Sequence, residues 1–466
     1  MKTIVITNVW GPYNRGDAAL VEALVAEIKK TLRDVPHRIS GMATYWELQR
    51  QHIPDVEWKG ALIYSRYHDK LRRRAERLLR TAAMIPYVLL GDSPLTRIFL
   101  SARQKEACDL LKSADLVLTA PGGFILDAHL NVISMLLEII IPKMHGRKVL
   151  LSPQSIGPIR SGILKYLVSK ALDGCDTICL REPISMDFVK KELKLPRSRV
   201  VRMSDLAFFH NGSERRLAQR ILNDEFGIRP GERFIAATVV QWNFPHHRDP
   251  AALRRRYLQA VGDALSRAAE RHDAKILMLN QVSEDLSNAR VVKEIVGNKC
   301  FIDTEDRTPA VMRGMFFHAT LSVTSRFHSC IFSLLEGTPS IAISYVWKTE
   351  GIMQELDLSD WAHSIETVEA STILRQIDEI MAGRHQMSTS VQKKVAAYRP
   401  KFPNYSDLIG EALFGSTRPM IGNSGGVESN GGSARGGLLK FPQREQIVRA
   451  ADAMKLVEAE RKQLLR

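Results

Sequence analysis

The chain has 466 residues and carries 66 Lys and Arg against 51 Asp and Glu, a formal net charge of +15. Its length and average composition predict a globular protein of roughly two to four domains and exclude collagen-like, coiled-coil and wholly disordered classes. The charge is compatible with nucleic acid, an anionic membrane surface or an anionic substrate, and does not choose among them. Scattered cysteines, no signal-peptide pattern and no apolar stretch of about 18 residues predict a cytoplasmic protein with free thiols.

The first half of the chain alternates apolar strands with helices. The predicted elements are strand Thr3–Asn8, helix Gly16–Arg33, strand Asp115–Ala120, a helix up to Met144, strand Lys148–Ser152, a helix from Ser161, strand Thr177–Leu180, helix Pro183–Leu193 and strand Val200–Met203. Near-continuous apolar strands separated by helices are typical of a parallel sheet that is covered on both faces. We therefore expect an α/β fold.

The second half restarts the same pattern. The predicted elements are strand Phe234–Val240, helix Asp249–Arg271, strand Lys275–Asn280, helix Glu284–Val296, strand Cys300–Ile302, helix Pro309–His318, strand Thr320–Thr324, helix His328–Glu336 and strand Ser340–Ser344. The pattern breaks between Asp205 and Arg233, which predicts two domains, residues 1–208 and 231–414. We expect their parallel sheets to face each other across a cleft, with ligands at the carboxyl ends of the strands.

Two segments lie outside this pattern. The first is a basic insertion at about residues 60–105, in which the run Arg66–Arg80 precedes the uncharged run Thr81–Leu90. It either binds an anionic membrane surface from the cytoplasmic side or forms a solvated helix face followed by a buried helix, and Pro86 argues against one continuous helix. The second is the tail, residues 415–466, a Gly/Ser-rich linker followed by a charged helix, which we expect to be dispensable for folding.

Two glycine-containing turns follow strands of the first domain. Asn14–Asp17 opens the first helix, where Gly16 permits a tight turn and the helix N-terminus attracts an anion, although capping of the helix by Asp17 is the more ordinary interpretation. Gly122 and Gly123 allow the backbone to approach a ligand closely, or simply form a tight turn. No Gly-x-Gly-x-x-Gly or P-loop pattern is present, so the sequence supports neither of those cofactor classes.

Four positively charged or titratable residues follow predicted strands. They are Arg181, Arg326, His328 and Lys348. Taken alone, each residue is more simply explained by a structural role, as an ion-pair partner, a helix cap or a solvated lysine, than by ligand binding. Together, however, they would border one cleft. Arginine binds a carboxylate or phosphate through two parallel hydrogen bonds, and histidine can accept or donate a proton near neutral pH. The set suits a small anionic substrate bearing both groups, and no spacing predicts a metal site or a cofactor.

Seven motifs in this order resemble the polysaccharide pyruvyl transferase family, over about residues 3–356. They are NRGD at Asn14–Asp17, DLVLTAPGG at Asp115–Gly123, SPQSIGP at Ser152–Pro158, CLREPIS at Cys179–Ser185, SDLAF at Ser204–Phe208, SRFH at Ser325–His328 and GTPSIAISYVWKTEG at Gly337–Gly351. The resemblance implies two Rossmann-like domains arranged as in GT-B glycosyltransferases. It also implies phosphoenolpyruvate as donor, sugar hydroxyls of a glycan or a lipid-linked precursor as acceptor, and a pyruvate ketal as product.

The resemblance also implies roles for individual residues. Arg326 and His328 match the family's Arg-x-His and Lys348 its Tyr-x-x-Lys, while Arg181 matches an arginine that faces the donor. His328 is then the general acid that protonates the methylene carbon, the arginines hold the carboxylate and phosphate, and Lys348 stabilises the departing phosphate. Asp17 is a candidate for accepting a hydroxyl proton. The acceptor-side loops are Asn14, Gly16, Gly122 and Gly123, with Pro121 standing where a third glycine is common.

Other functions stay open at this stage. A GT-B glycosyltransferase that uses a nucleotide-sugar would need the same architecture and similar cations. A non-catalytic anion- or glycan-binding protein is a third hypothesis. A nucleic-acid partner is not expected, because no recognisable binding module accompanies the basic runs.

Overall fold

A computed structural model describes residues 1–65, 70–126, 132–196, 198–245 and 247–415. Within these ranges the chain builds two β-sheets in which every strand pairing is parallel, with helices on both faces. The predicted α/β class with two parallel sheets is therefore confirmed. The predicted linker and tail lie outside the described residues beyond Gly415.

The first sheet has eight strands, ordered β3-β2-β1-β4-β6-β7-β8, with β5 paired to the end of β6. The strands are β1 Lys2–Val9, β2 His37–Ala43, β3 Glu57–Gly60, β4 Leu116–Thr119, β5 Gly122–Ile125, β6 Lys148–Ile156, β7 Thr177–Leu180 and β8 Arg199–Arg202. The helices are α1 Arg15–Thr31, α2 Trp46–His52, α3 Lys70–Leu90, α4 Pro94–Arg97, α5 Ala102–Ser113, α6 Val132–Met144, α7 Gly162–Leu172 and α8 Pro183–Phe188, which continues as a π-helical turn over Val189–Leu193.

The second sheet has six strands, ordered β11-β10-β9-β12-β13-β14. The strands are β9 Phe234–Thr238, β10 Lys275–Met278, β11 Cys300–Ile302, β12 Leu321–Thr324, β13 Ser340–Ser344 and β14 Ala362–Ser364. The helices are α9 Arg215–Phe226, α10 Pro250–Arg271, α11 Leu286–Val296, α12 Pro309–His318, α13 Phe327–Leu335, α14 Trp347–Glu355, α15 Ala370–Tyr398 and α16 Tyr405–Phe414.

The sheets form because their central strands are apolar on both faces. All four residues of β4 and of β7, and all five of β9 and of β13, are buried. A strand that is buried on both sides needs apolar or hydrogen-bonded side chains at every position, which is the pattern that predicted a covered parallel sheet. The order of each sheet reverses beside its first strand, and at that point the carboxyl ends of neighbouring strands open into a crevice.

The two sheets share one apolar core. Side chains of β1 and α1 in the first domain and of α13 and α14 in the second belong to the same buried cluster. The last described helix, α16, packs on α1 and β6 of the first sheet, although the sequence places residues 231–414 together in the second domain. Tyr405, Leu408 and Ile409 give α16 a buried apolar face, and the first sheet supplies the matching surface. The exact boundary between the domains stays a prediction.

The basic insertion forms a helix where the sequence argues for a break. Helix α3 runs from Lys70 to Leu90 with Pro86 inside it. Met84 and Tyr87 are fully buried on its inner side, which stabilises the helix by packing where proline removes a backbone hydrogen bond. No helix among the described residues is long and apolar enough to cross a membrane.

Candidate active site

The N-terminus of α1 lies against His328 of the second domain. The side chain of Asn14 accepts a hydrogen bond from the Gly16 amide at 2.9 Å and caps the helix. A Cβ atom at Gly16 would overlap the His328 imidazole, so glycine is required for this close approach. The Gln281 side chain donates a hydrogen bond to Asn14 Oδ1 at 3.2 Å and ties the turn to the second domain.

Asp17 does not cap α1, so the capping interpretation is wrong. The Asn14 side chain fills that role, and Asp17 is half-buried in the first turn instead. Burial raises the pKa of Asp17 to about 6, and the charges of Arg181, Lys348 and Arg326 oppose this rise. A carboxyl group whose pKa lies just below neutral pH is a competent proton acceptor.

Gly123 lies between the two cations that the sequence places in different domains. A Cβ atom there would overlap Lys348 Nζ and would lie 3.0 Å from Arg181 Nη2. The Gly-Gly pair therefore serves a close approach of backbone to charged side chains, rather than only a turn. It follows that Lys348, from α14, reaches across the cleft to the first sheet.

Arg181 is oriented by a carboxylate that the sequence analysis did not assign. It follows β7, and its Nη1 donates a hydrogen bond to Asp205 Oδ2 at 2.5 Å while its Nε donates to Ser155 Oγ at 2.7 Å. Asp205 Oδ1 lies 3.9 Å from His328 Nε2. Burial raises the pKa of Asp205, but Arg181 and His328 outweigh burial and lower it below its ordinary value. One carboxylate thus holds a cation and also faces the predicted acid without bonding to it.

Arg326 is fixed by a second carboxylate. Its Nε and Nη2 donate hydrogen bonds to the two oxygens of Asp285, at 2.6 and 2.7 Å. A guanidinium that is held along this edge still presents its Nη1 end to a further anion. Burial lowers the pKa of Arg326, but Asp285 and Tyr345 more than reverse this and hold it above its ordinary value. Arg326 is therefore charged and rigidly aimed.

His328 is buried and uncharged at neutral pH. Burial lowers its pKa to about 4, Asp205 opposes the fall, and Arg181, Lys348 and Arg326 add to it. Its Nε2 has no hydrogen-bond partner among the residues that the structure describes. A buried nitrogen without such a partner costs free energy, which is the situation of a group that awaits a ligand.

The charged form of Lys348 is also disfavoured by its surroundings. Burial and then the charge of Arg181 lower its pKa to about 7, while Glu182, Asp205 and Asp17 act in the opposite direction. At neutral pH the amine is therefore partly deprotonated. An anion bound beside it would restore the charge, because opposite charge favours the ammonium form.

A cavity of about 500 Å³ opens beside these groups, between α8 of the first domain and α14 of the second. Its walls combine charged and apolar side chains, including Arg181, Glu182, Ile184, Phe327, Trp347 and Lys348. Of the site residues singled out in the sequence, Arg181 and Lys348 line this cavity, while His328 and Asp17 lie within electrostatic range of both and of Arg326. Asn14, Gly16 and Gly123 contact or closely approach Gln281, His328 and Lys348, whereas a Cβ atom at Gly122 would meet Phe124 instead. In the described part of the chain, no group of three His, Cys, Asp or Glu residues could hold a metal ion.

The sequence analysis missed the carboxylates that orient the arginines. Asp205 stands in the SDLAF motif just after β8, and Asp285 stands before α11 after β10. Both follow strands of their sheets, which is the signal that singled out the cations. Which arginine each carboxylate meets depends on tertiary packing, so the pairs themselves could not be predicted.

These features define a cationic, interdomain site with a buried histidine in an α/β protein, and the family model of the polysaccharide pyruvyl transferases matches residues 14–346. The chain belongs to this family, as the resemblance of its motifs predicts. A curated relative is the amylovoran biosynthesis protein AmsJ of Erwinia amylovora, which is 20% identical over 402 residues, covering 83% of this chain and 94% of AmsJ. The chain is therefore similar to a protein of exopolysaccharide biosynthesis.

Solved structures of the same fold have GT-B architecture. HepE of Anabaena, in complex with UDP and glucose, superposes with a TM-score of 0.53 at 12% identity and covers 89% of this chain and 99% of its own. The UDP-GlcNAc 2-epimerase of Neisseria meningitidis, bound to UDP-GlcNAc, gives a TM-score of 0.54 at 10% identity with the same coverage. The predicted GT-B-like arrangement is confirmed, and at these identities the likeness shows the fold alone.

Proposed function

We propose that the protein transfers the pyruvyl group of phosphoenolpyruvate to sugar hydroxyls of a glycan or its lipid-linked precursor, forming a pyruvate ketal and releasing phosphate. The observation that carries this proposal is the convergence of Arg181, Arg326 and Lys348 around His328 and Asp17 in one buried interdomain site. Family membership supports the transferase class. The donor and the ketal product are our proposal.

The three cations match the charges of such a donor. Phosphoenolpyruvate carries a carboxylate and a phosphate on adjacent positions, so it needs two rigid anion sites and a means of stabilising phosphate as it leaves. Asp285 binds Nε and Nη2 of Arg326, and Ser155 and Asp205 bind Nε and Nη1 of Arg181. Arg326 Nη1 and Arg181 Nη2 are then the ends that meet the donor, and Tyr345 also lies beside the Arg326 guanidinium. Lys348 supplies a point charge for the leaving group. The cavity of about 500 Å³ leaves room beside the donor for the acceptor sugar.

Donor binding would also switch on the acid. Before an anion binds, burial and three neighbouring cations disfavour the imidazolium form, so His328 stays neutral. A bound multiply charged anion neutralises those cations, so the pKa of His328 rises and the ring takes up a proton. The acid is then charged only when there is a donor to protonate, next to Asp205, which stabilises the imidazolium.

The chemistry balances without a cofactor. Asp17 takes the proton of a sugar hydroxyl as its oxygen forms a bond to the central carbon of the donor, and His328 gives its proton to the methylene carbon, which becomes a methyl group. The bond from carbon to the phosphate oxygen then breaks and phosphate leaves beside Lys348. The second hydroxyl of the sugar attacks the same carbon and gives its proton to the phosphate. This attack closes the ketal ring.

Phosphate release tests the proposal. The purified protein is incubated with phosphoenolpyruvate and a panel of lipid-linked or nucleotide-linked sugars, and phosphate is measured together with the acceptor's mass. A gain in acceptor mass equal to pyruvic acid less one water, matched to phosphate release, is the expected result. His328→Ala is the negative control. Acceptor-independent phosphate release, or no release with any sugar, would count against transfer.

A nucleotide-sugar donor is the second candidate. HepE and the Neisseria epimerase are described as bound to UDP or a UDP-sugar, and they share this fold. Thermal shift measurements discriminate between the two candidates. Stabilisation by phosphoenolpyruvate that is lost in Arg326→Ala supports pyruvyl transfer, whereas stabilisation by UDP alone supports the glycosyltransferase.

A further inference from the structure

The outer side of α3 carries an apolar stripe that no described residue covers. Leu71, Leu78, Ile85 and Leu89 are between 37% and 75% exposed. Their spacing of seven, seven and four residues places them on one face of the helix. A surface helix ordinarily turns such a face inward, yet α3 already buries a different face through Met84 and Tyr87. The helix is thus apolar on two sides.

The stripe continues into the segment that follows. Leu95, Ile98 and Phe99, in and just after α4, are more than half exposed. We call the stripe and these three residues the outer apolar face. The segment between residues 71 and 99 holds most of the strongly exposed large apolar side chains of the described chain. Contiguous exposure of this kind marks an interaction surface rather than chance.

The apolar face has an exposed arginine beside it. Arg72, Arg73 and Arg74 are exposed at the start of α3, and the helical period places Arg74 next to the stripe and Arg73 on the side of Met84 and Tyr87. Glu76, the acidic residue of this helix, is held by Arg80 at 2.6 Å on its inner side. Apolar side chains flanked by an exposed arginine match a surface that is anionic outside and apolar beneath.

The inner side of α3 faces the loop before α1. Arg77, one turn along from Arg73, lies within electrostatic range of Tyr45. Tyr45 packs edge-on against Trp10 and Tyr13, with ring centroids 5.9 and 5.0 Å apart. These contacts fix the inner side of the helix and leave the outer apolar face directed away from them.

We propose that the outer apolar face of α3 and α4 binds the surface of an anionic lipid bilayer, with Leu78, Ile85 and Leu89 entering the interface and Arg74 contacting lipid phosphate. This interaction is peripheral and needs no spanning helix. It differs from the sequence-based expectation in its residues, because Met84 and Tyr87 belong to the core. It does not depend on the proposed function. A second copy of the chain fits less well, because like-charged arginines would be brought into its interface.

Sedimentation of the full chain with vesicles tests the proposal. We expect recovery with vesicles of phosphatidylglycerol and phosphatidylcholine, little recovery with phosphatidylcholine alone, and loss of binding as salt rises. Arg74→Glu should weaken binding severalfold. The matched control is Arg256→Glu, at an exposed arginine of α10, which should bind normally.

A second set of variants tests the apolar contribution. Leu78→Ser with Ile85→Ser should weaken vesicle binding severalfold while leaving the circular dichroism melting curve and phosphate release with a water-soluble acceptor unchanged. Val291→Ser, at an exposed apolar position of the second domain, is the control. Equal recovery on neutral and anionic vesicles would overturn the proposal. A stable dimer without lipid that the same two serines dissociate would also overturn it and would assign the face to a second copy.

Discussion

His328 is the residue on which the proposed chemistry depends most. Replacing it by alanine should lower turnover by about 10²- to 10⁴-fold, because a general acid acts in the transition state. Binding of phosphoenolpyruvate should change much less. Steady-state kinetics and calorimetry separate these effects, and near-normal turnover by a folded His328→Ala protein would remove the assigned role.

The charge of Lys348 predicts how donor binding depends on pH. Its pKa is lowered to about 7, so the ammonium form is lost as the pH rises through that value, and affinity for an anionic donor should fall with it. Below that pH the Lys348 amine is already charged, so its contribution to donor affinity should no longer change with pH. Calorimetry in buffers of different ionisation enthalpy should reveal net proton uptake on binding near neutral pH. Lys348→Arg, which stays charged, should remove the part of this pH dependence that comes from Lys348 and leave the part that comes from proton uptake by His328.

Asp285 is a positioning residue, because it acts on the donor through Arg326. In Asp285→Asn only one side-chain oxygen can accept a hydrogen bond from Arg326, whereas two accept now. The guanidinium of Arg326 should therefore lose its fixed orientation. We expect a raised KM for phosphoenolpyruvate with a smaller fall in kcat. Arg326→Lys should be nearly as damaging as Arg326→Ala, since lysine keeps charge but loses the planar fork. Wild-type donor affinity in Arg326→Lys would contradict two-point capture.

Gly123 offers a test of the close approach between backbone and cations. In Gly123→Ala the new methyl group would overlap Lys348 Nζ, so the amine must move and phosphate release should fall sharply. Gly162→Ala is the matched control, because an added Cβ there meets nothing within 4 Å. The control should keep full activity, and equal loss in both variants would show that the effect is not specific to the site.

At the scale of elements, most strands were predictable, the edge strand β11 among them, whereas β2, β3, β5 and β14 were missed. Strands β7 and β13 have the predicted bounds because short apolar runs between turn signals leave little choice. The edge strand β3 and its neighbour β2 were missed, since their sequences EWKG and HRISGMA lack a clear period of two. Helix α3 was misjudged at Pro86 because tertiary packing outweighs the local preference of proline.

Helix α16 allows a prediction at the same scale. Ile409 is fully buried between α16 and the first sheet, so Ile409→Ala should lower the free energy of unfolding by about 2–5 kcal/mol. Phe414→Ala, at the half-exposed end of the same helix, should cost much less. Urea unfolding measures both, and a similar small loss in each variant would mean that α16 contributes little to the first domain.

For the whole molecule, the sequence predicted which residues meet but not how they are held. Arg181, Arg326, His328 and Lys348 each follow a strand, and the rule that ligands collect at carboxyl ends brought them together. The contacts of Arg181 with Asp205 and of Arg326 with Asp285 depend on side-chain directions that no local pattern encodes. The same holds for the close approach of Gly16 to His328, because it depends on how the two domains are placed relative to each other.

The return of α16 to the first sheet has a consequence for synthesis of the chain. The surface formed by α1 and β6 stays uncovered until residues 405–414 have left the ribosome, although all strands of the first sheet were made some two hundred residues earlier. The first half therefore waits in an unfinished state with apolar surface open to solvent, where association with other chains competes with completion. Expression of residues 1–208 alone would leave that surface bare permanently, and an excised N-terminal half should aggregate rather than behave as an independent unit.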